Sequence, residues 1–205
     1  MGNKWGFLMP NHPEIIIMRH GETVWNCEQR MQGTLDSALT ARGRAQAATL
    51  RRLIGRMDLG PRYRAWCSPR GRARETANIA LAPHFDNIRE DARLAEISVG
   101  RIEGMRLADA RVAFPDIFAG GGLLDWYFRD HGGESYAQFA GRLQSWLDDL
   151  EHPAIVITHG VASRVLRGLV LGLDLAGMAA LPDGQGGLFR LCDGRHEQWP
   201  RRARE

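Results

Sequence analysis

Two short, unbroken apolar runs dominate the hydropathy pattern of this chain. Ile15-Ile16-Ile17-Met18 passes at once into Arg19-His20-Gly21, and Ala154-Ile155-Val156-Ile157-Thr158 into His159-Gly160. Runs of that length without alternation predict strands buried on both faces, as parallel sheets require. Arg64-Ala65-Trp66-Cys67 predicts a further short strand. Helical signals lie between the runs. Thr40 predicts the cap of a helix over residues 41–56. Ser68-Pro69 reads as the N-cap and first turn of a helix reaching about residue 82. A short helix is expected over 107–114, before Pro115, and Gly120-Gly121-Gly122 breaks the chain after it. Gly132-Gly133-Glu134-Ser135 opens a helix whose Phe139, Leu143, Trp146, Leu147 and Leu150 form one stripe, read as core. A helix over 161–171 ends at Gly172, and residues 188–191 start a hairpin that turns at Asp193-Gly194. This alternation predicts an α/β fold, a mostly parallel sheet covered by helices on both faces. No repeat, low-complexity tract or linker interrupts it, so residues 1–205 are read as a single domain.

Composition narrows the class. Hydrophobic residues make up 44% and charged residues 25%, which fits a globular chain rather than a disordered one. The formal net charge is +3, and arginine supplies nearly all the positive charge. Scattered arginine reads as a solvated surface rather than a nucleic-acid site, and a mild positive balance suits a small anionic substrate. The three cysteines, Cys27, Cys67 and Cys192, are odd in number and far apart, which argues against a disulfide scaffold and a structural zinc site. No apolar stretch approaches the roughly 20 residues of a membrane span. Trp5-Gly6-Phe7-Leu8-Met9, followed by Pro10, is too short for a signal-peptide core, so the expected location is cytoplasmic. A homodimer is compatible with the chain.

Ligands of open α/β sheets bind just past the carboxyl ends of strands, where His20 and His159 stand. Arg19 arrives with His20, Arg72 from a helix start and Glu96 from a loop. Two arginines beside two histidines make an anion site, with phosphate the natural ligand. The helix after Gly160 is expected to add backbone N–H donors. A neutral imidazole can attack phosphorus, and neighbouring cations disfavour its protonation. A carbonyl accepting from His20 Nδ1–H would free Nε2 to attack. His159 works best in this scheme when protonated, so the two histidines are expected to shift in opposite directions. Glu96 is placed to protonate the leaving alkoxide and then to activate water. Taken singly, Glu96 also reads as a surface carboxylate and Arg72 as one arginine among many. His12, His84, His152 and His196 read as surface or loop residues, whereas His131 is placed at the pocket edge. A metal site built on His20, Glu22 and His159 is disfavoured by the arginine beside it.

These motifs resemble the histidine phosphatase superfamily, also called phosphoglycerate mutase-like, from about Ile15 to Leu191. Arg19-His20-Gly21-Glu22-Thr23-Val24-Trp25-Asn26 resembles its nucleophile motif. Arg30-Met31-Gln32-Gly33, with Asp36, Leu39-Thr40 and Gly43, resembles the next block. Ser68 to Ala77 resembles the block carrying the second phosphate arginine, and Leu94-Ala95-Glu96 with Gly100 and Glu103-Gly104 the acid/base segment. Gly132 to Ser135 and Thr158-His159-Gly160 complete the set. The resemblance implies a three-layer α/β/α sandwich, no metal and no cofactor. It implies His20 as the phosphorylated nucleophile and Glu96 as the proton donor. Arg19, Arg72, His159 and Gly160 would form the phosphate pocket, with Asn26, Gln32 and Gly33 touching phosphate or substrate.

The sequence departs from the family pattern at Ala38, where proline is usual, at Arg70, where leucine is usual, and at Val161, where a second glycine is frequent. Only residues 105–131 separate Gly104 from Gly132, a short span that resembles the phosphatase branch rather than the glycolytic mutases. The expectation is therefore a metal-independent phosphatase acting on a small phosphorylated metabolite. Its rivals are a mutase dependent on 2,3-bisphosphoglycerate, a non-catalytic phosphate-binding module and a metallohydrolase. The pocket walls are expected from residues 21–39 and 97–135, with Trp126, Tyr127 and Phe128 either forming an apolar wall or packing.

Overall fold

The computed structural model describes residues 12–129 and 131–199. Trp5 to Met9 lie outside the described residues. In chain order the elements are β1 (Ile15–Arg19), α1 (Val24–Cys27), α2 (Ala41–Ile54), β2 (Arg64–Cys67), α3 (Gly71–Ala80), β3 (Ile88–Glu90), α4 (Leu107–Ala113), α5 (Pro115–Phe118), α6 (Tyr136–Asp148), β4 (Ala154–Thr158), α7 (Gly160–Leu171), α8 (Leu175–Ala180), β5 (Leu188–Cys192) and β6 (Arg195–Trp199). One sheet carries all six strands in the order β3-β2-β4-β1-β5-β6. β3, β2, β4 and β1 run parallel, and β5 and β6 close the far edge antiparallel.

The unbroken apolar runs have a direct cause, because both faces of the sheet are covered. Ile15, Ile17, Ala154 and Val156 face one layer, where α6 contributes Phe139, Leu143 and Trp146 and α7 contributes Val165 and Leu166. Ile16, Met18, Ile155 and Ile157 face the other, where they meet Leu50 of α2 and Ala73 and Ala77 of α3. Each fully buried isoleucine contributes about 1.5–3 kcal/mol. The result is the three-layer α/β/α sandwich. The predicted stripe on α6 is core as read, with Leu150 only partly buried beside it.

The elements differ from the sequence reading in several places. α2 and α3 stop two residues early, although Thr40 caps α2 as predicted by accepting from Gly43 N–H. Ser68 does not cap α3. The Asp36 carboxylate reaches in from the preceding loop and accepts from Gly71 N–H and, at 3.2 Å, from Arg72 N–H. β3, α1, α5 and α8 carry too few residues for periodicity to reveal. Gly172 ends α7 in the left-handed conformation, at φ 64°.

Candidate functional site

Three adjacent strands, β2, β4 and β1, end at one level. Arg19 stands opposite Thr158, and Cys67 opposite Ile157. One residue further on, His20 N–H donates to Thr158 O at 2.9 Å and Ser68 N–H to Ile157 O at 3.0 Å. Ser68, His159 and His20 thus leave the sheet side by side. The chain turns away from β1 at Gly21, which packs so tightly on Gly43 of α2 that a Cβ on either would collide with backbone. That close approach explains both glycines.

His20 is buried, and its Nδ1 lies 2.7 Å from the Gly21 carbonyl. A carbonyl only accepts, so Nδ1 carries the hydrogen and Nε2 keeps a free lone pair. Burial, then Arg19 and Arg72, push the His20 pKa well below its ordinary value, against the pull of the Gly21 carbonyl. The ring is a neutral potential nucleophile at pH 7.

The two arginines are held in different ways. Arg19 donates through Nη1 to Asp183 Oδ2 at 2.6 Å, and its guanidinium lies against Gly160, where a Cβ would come within 3.3 Å of Cζ. Arg72 is fully buried, donating through Nη1 to Leu35 O at 2.6 Å and Asp36 Oδ1 at 3.1 Å, and through Nη2 to Gly33 O at 3.1 Å. Gly33 adopts φ +51°, a conformation that turns this carbonyl to Arg72 at no Cβ penalty. The Nε atoms of Arg19 and Arg72, Nδ1 of His159 and Oε1 of Gln32 are all buried without a partner. Buried polar atoms are normally satisfied, and an oxyanion would satisfy the donors among them.

Two expectations about charge are corrected. His159 is not set up as a cation. Its ring centroid is 5.2 Å from that of His20, and burial, then Arg72 and His20, push its pKa well down too. Both histidines shift in the same direction, because they share one desolvated cationic pocket. At the start of α7, two of the expected backbone donors are already taken. Glu96 accepts from Val161 N–H at 3.1 Å and Ala162 N–H at 3.0 Å. The carboxylate occupies the helix N-terminus as an anion would.

Glu96 is held in place by groups outside its own loop. Arg142 of α6 donates to the carbonyls of Arg93, Ala95 and Glu96, and its other edge pairs with Glu134 at 2.7 Å. Glu134 also accepts from Ser98 N–H. The Gly-Glu-Ser motif thus clamps the loop that bears Glu96.

A cavity of about 120 Å³ is lined by Arg19, His20, Asn26, Gln32, Gly33, Arg72, Glu96 and Tyr127, among others. The stretches 21–39 and 97–135 supply Asn26, Arg30 to Gly33, Ile97, Val99 and Tyr127 as expected, whereas Arg19, His20, Arg72 and Glu96 come from outside them. Asn26 Oδ1 accepts from Thr23 N–H and, at 3.3 Å, from Gln185 Nε2. The aromatic trio divides. Tyr127 lines the cavity, Trp126 stacks on it at 3.7 Å, and Phe128 packs on Tyr136 and Phe139. His131 does not edge this cavity. It is buried, its Nε2 meeting Tyr127 O and its Nδ1 accepting from Gly133 N–H, so it fastens the Tyr127 segment instead. Arg70, where the family usually has leucine, stands beside the site. It is half-buried with Nε buried, close enough to Arg72 and His159 to depress both pKa values.

Among the other hollows, two of about 570 and 590 Å³ share Tyr63 at the opposite end of the sheet and hold none of these groups, and one of about 480 Å³ is lined by His131 with Gly100, Arg101 and Gly132. Among the described residues no three His, Cys, Asp or Glu side chains are grouped to hold a metal ion, and no helix is long and apolar enough to cross a membrane. Sequence reasoning missed Asp183 and Arg142. Asp183 sits in a Pro-Asp-Gly turn signal, and Arg142 looks like the polar face of an ordinary helix.

Comparison with known proteins agrees with this geometry. The family model of the histidine phosphatase superfamily (branch 1) matches residues 15–200. Phosphoserine phosphatase 1 of Hydrogenobacter thermophilus is 32% identical over 174 residues, covering 80% of this chain and 78% of the relative. A probable phosphoglycerate mutase of Erwinia tasmaniensis is 33% identical over 172 residues, covering 78% and 75%. A mycobacterial glucosyl-3-phosphoglycerate phosphatase, solved with VO3, superposes with a TM-score of 0.76 at 27% identity, covering 93% of this chain and 100% of that one. Bacillus stearothermophilus YhfR gives a TM-score of 0.75 at 30% identity, covering 90% and 94%. The family model spans all six strands and both strand-end histidines, and the protein belongs to the histidine phosphatase superfamily, branch 1.

Proposed function

We propose that this protein is a metal-independent phosphatase that hydrolyses small phosphomonoesters through a phosphohistidine at His20. The observation that carries the reading is the His20 hydrogen bond to the Gly21 carbonyl at 2.7 Å, made by a buried ring between two arginines. It leaves Nε2 unprotonated where a phosphate would sit. In the first step the Nε2 lone pair attacks phosphorus and the P–O bond to the alcohol breaks. Glu96, protonated, gives its proton to the departing oxygen. In the second step Glu96, now a carboxylate, takes a proton from water, the water oxygen attacks phosphorus, and the P–Nε2 bond breaks to release phosphate. Arg19, Arg72 and His159 contact the phosphoryl oxygens. Uncatalysed monoester hydrolysis is slow enough to call for acceleration of up to about 10²¹-fold, so a preorganised charge clamp must contribute much of the effect.

The cavity of about 120 Å³ holds a phosphoryl group and little more. The alcohol part is therefore small or reaches toward solvent. Phosphorylated serine or glycerate compounds, suggested by the names of the relatives, belong in the first panel tested. The donor set supports chemistry without a metal, because arginines rather than further carboxylates surround His20.

The test is turnover of a phosphomonoester panel by wild type and His20→Ala with EDTA present, with acid-labile phosphate sought on the His20 peptide after rapid quench. Wild type should turn over and carry that phosphate, and His20→Ala should do neither. Turnover by His20→Ala at the wild-type rate, or loss of wild-type activity to the chelator, would overturn the reading. Strong stimulation of isomerisation by 2,3-bisphosphoglycerate would favour a mutase instead.

A further inference from the structure

His159 Nε2 lies 2.7 Å from Ser68 Oγ, and both side chains are fully buried. A hydroxyl has one hydrogen and two lone pairs. One lone pair of Ser68 accepts Arg70 N–H at 3.3 Å. Among the described residues the Ser68 hydroxyl hydrogen has one acceptor, His159 Nε2. The opposite ring nitrogen, Nδ1, is buried and has no partner.

We propose that Ser68 is a positioning residue that sets the tautomer of His159: it donates to Nε2, keeps the ring hydrogen on Nδ1, and so makes Nδ1–H the donor His159 offers to a phosphoryl oxygen. The inference rests on the phosphohistidine reading above and supplies what that reading lacks. A ring among arginines has no need of a second charge to hold phosphate, but it does need a hydrogen on the correct nitrogen. With the other tautomer, Nε2–H would point at Ser68 and a bare Nδ1 lone pair would be left for the ligand. That arrangement sets lone pair against lone pair in a site built for an anion.

The fold frees Ser68 for this task. A serine just ahead of a helix is ordinarily consumed as its N-cap. Here Asp36 takes the first N–H groups of α3, and the backbone of Ser68 is fixed by the sheet through Ile157 O. The hydroxyl is left to address the end of the neighbouring strand β4, where His159 stands. Asp36 also bonds Arg72 directly, so one carboxylate supports both an arginine of the clamp and the freedom of Ser68.

Long-range ¹H–¹⁵N spectra of protein carrying ¹⁵N-histidine test the assignment without turnover, with and without orthovanadate as the phosphate mimic. The His159 signals are identified by their loss in His159→Gln. Wild type should show Nδ1 protonated and Nε2 bare, in both states. Ser68→Ala should show a mixture that includes Nε2–H, with kcat reduced about tenfold or more, the scale of one buried hydrogen-bond partner removed. A wild-type His159 protonated on Nε2 would overturn the inference, whatever the variant does. So would a Ser68→Ala protein with unchanged tautomer and unchanged kcat. An enzyme with the Nδ1–H signature but no phosphate on His20 would sink the proposed reaction and leave the tautomer assignment standing. Nε2–H in an enzyme that does phosphorylate His20 would sink the Ser68 assignment alone.

Discussion

Arg19 Nη1 and Asp183 Oδ2 lie 2.6 Å apart, joining positions 164 residues distant in the chain. The short parallel bridge between Arg19 and Gln185 brings the Asp183 loop over the end of β1. Burial alone would raise the pKa of the Asp183 carboxyl, but Arg19 and then Arg164 outweigh it and hold the group below its ordinary value. An ionised carboxylate thus occupies one arm of the arginine that flanks the nucleophile, where it competes with the ligand's oxygens. Asp183→Asn should tighten product inhibition by inorganic phosphate by up to about fivefold, the scale of about 1 kcal/mol for a pair with one exposed partner. Inhibition constants measured at fixed ionic strength decide the point. Weaker phosphate binding in the variant would show instead that Asp183 chiefly orients the guanidinium.

Arg72 makes a different demand on its surroundings. Three of its five N–H donors are taken by the Leu35 and Gly33 carbonyls and by Asp36, leaving Nε–H and one Nη2 hydrogen for the ligand. A lysine carries one charged nitrogen and cannot reproduce that fork. Arg72→Lys should lower kcat/KM by about 100-fold or more, and it should lower unfolding free energy by about 1–3 kcal/mol, because it leaves buried acceptors unpaired. Steady-state kinetics and urea melts would each register the change. Wild-type kinetics in this variant would show that charge alone, without the fork, is what the site requires.

The parts of this site that were legible in the sequence are those written into continuous strands. Ile15 to Met18 and Ala154 to Ile157 are apolar on both faces because both faces are buried, so their ends, and the histidines there, could be read directly. What was illegible depends on partners distant in sequence. Ser68-Pro69 looks like a helix cap until Asp36 is seen to take that role. The charge state of His159 depends on desolvation and on the arginines around it, which no spacing rule records. The helix N-terminus after Gly160 carried an anion-site signal, and the anion that answers it is the chain's own Glu96.

That occupancy by Glu96 shapes the effect of changing it. Its two oxygens accept from Val161, Ala162 and Ile97 N–H groups, so the side chain is aimed by backbone. Glu96→Gln keeps the shape and one acceptor oxygen but cannot donate a carboxyl proton or accept one from water. Turnover of alkyl phosphates should fall about 10²- to 10⁴-fold, the usual range for lost proton transfer. A nitrophenyl ester, whose leaving group needs little protonation, should lose much less in the first step and should leave phosphoenzyme in a burst. Rapid-quench measurements with both ester types separate the two steps. Equal losses for both esters, without a burst, would remove Glu96 from the acid role.

The paired histidines also tie stability to pH. His20 and His159 are buried, and both have folded-state pKa values well below 6.5, driven first by burial and then by Arg19 and Arg72 for His20, and by Arg72 and His20 for His159. Above pH 6.5 neither the folded nor the unfolded chain protonates these rings, and their contribution is fully present. As the pH falls through 6.5 the unfolded chain takes up protons that the folded site refuses. Stability then drops by up to about 1.4 kcal/mol per pH unit for each ring, until the folded-state values are reached. His196 adds to this trend, its pKa lowered by burial and by Arg167. The lowered carboxyl groups, such as Glu134 with burial outweighed by Arg142 and Ser98, lose their contribution only further down, near the ordinary carboxylate range. Urea melts at pH 7.0, 6.0 and 5.0 should therefore show a loss that begins near pH 6.5, and His159→Gln should flatten it. Orthovanadate at saturation should raise stability at each of these pH values, because it binds the folded site and not the unfolded chain. A wild-type stability that stays level from pH 7 to 5 would mean that the buried histidines are not held uncharged, and the nucleophile assignment would lose its electrostatic basis.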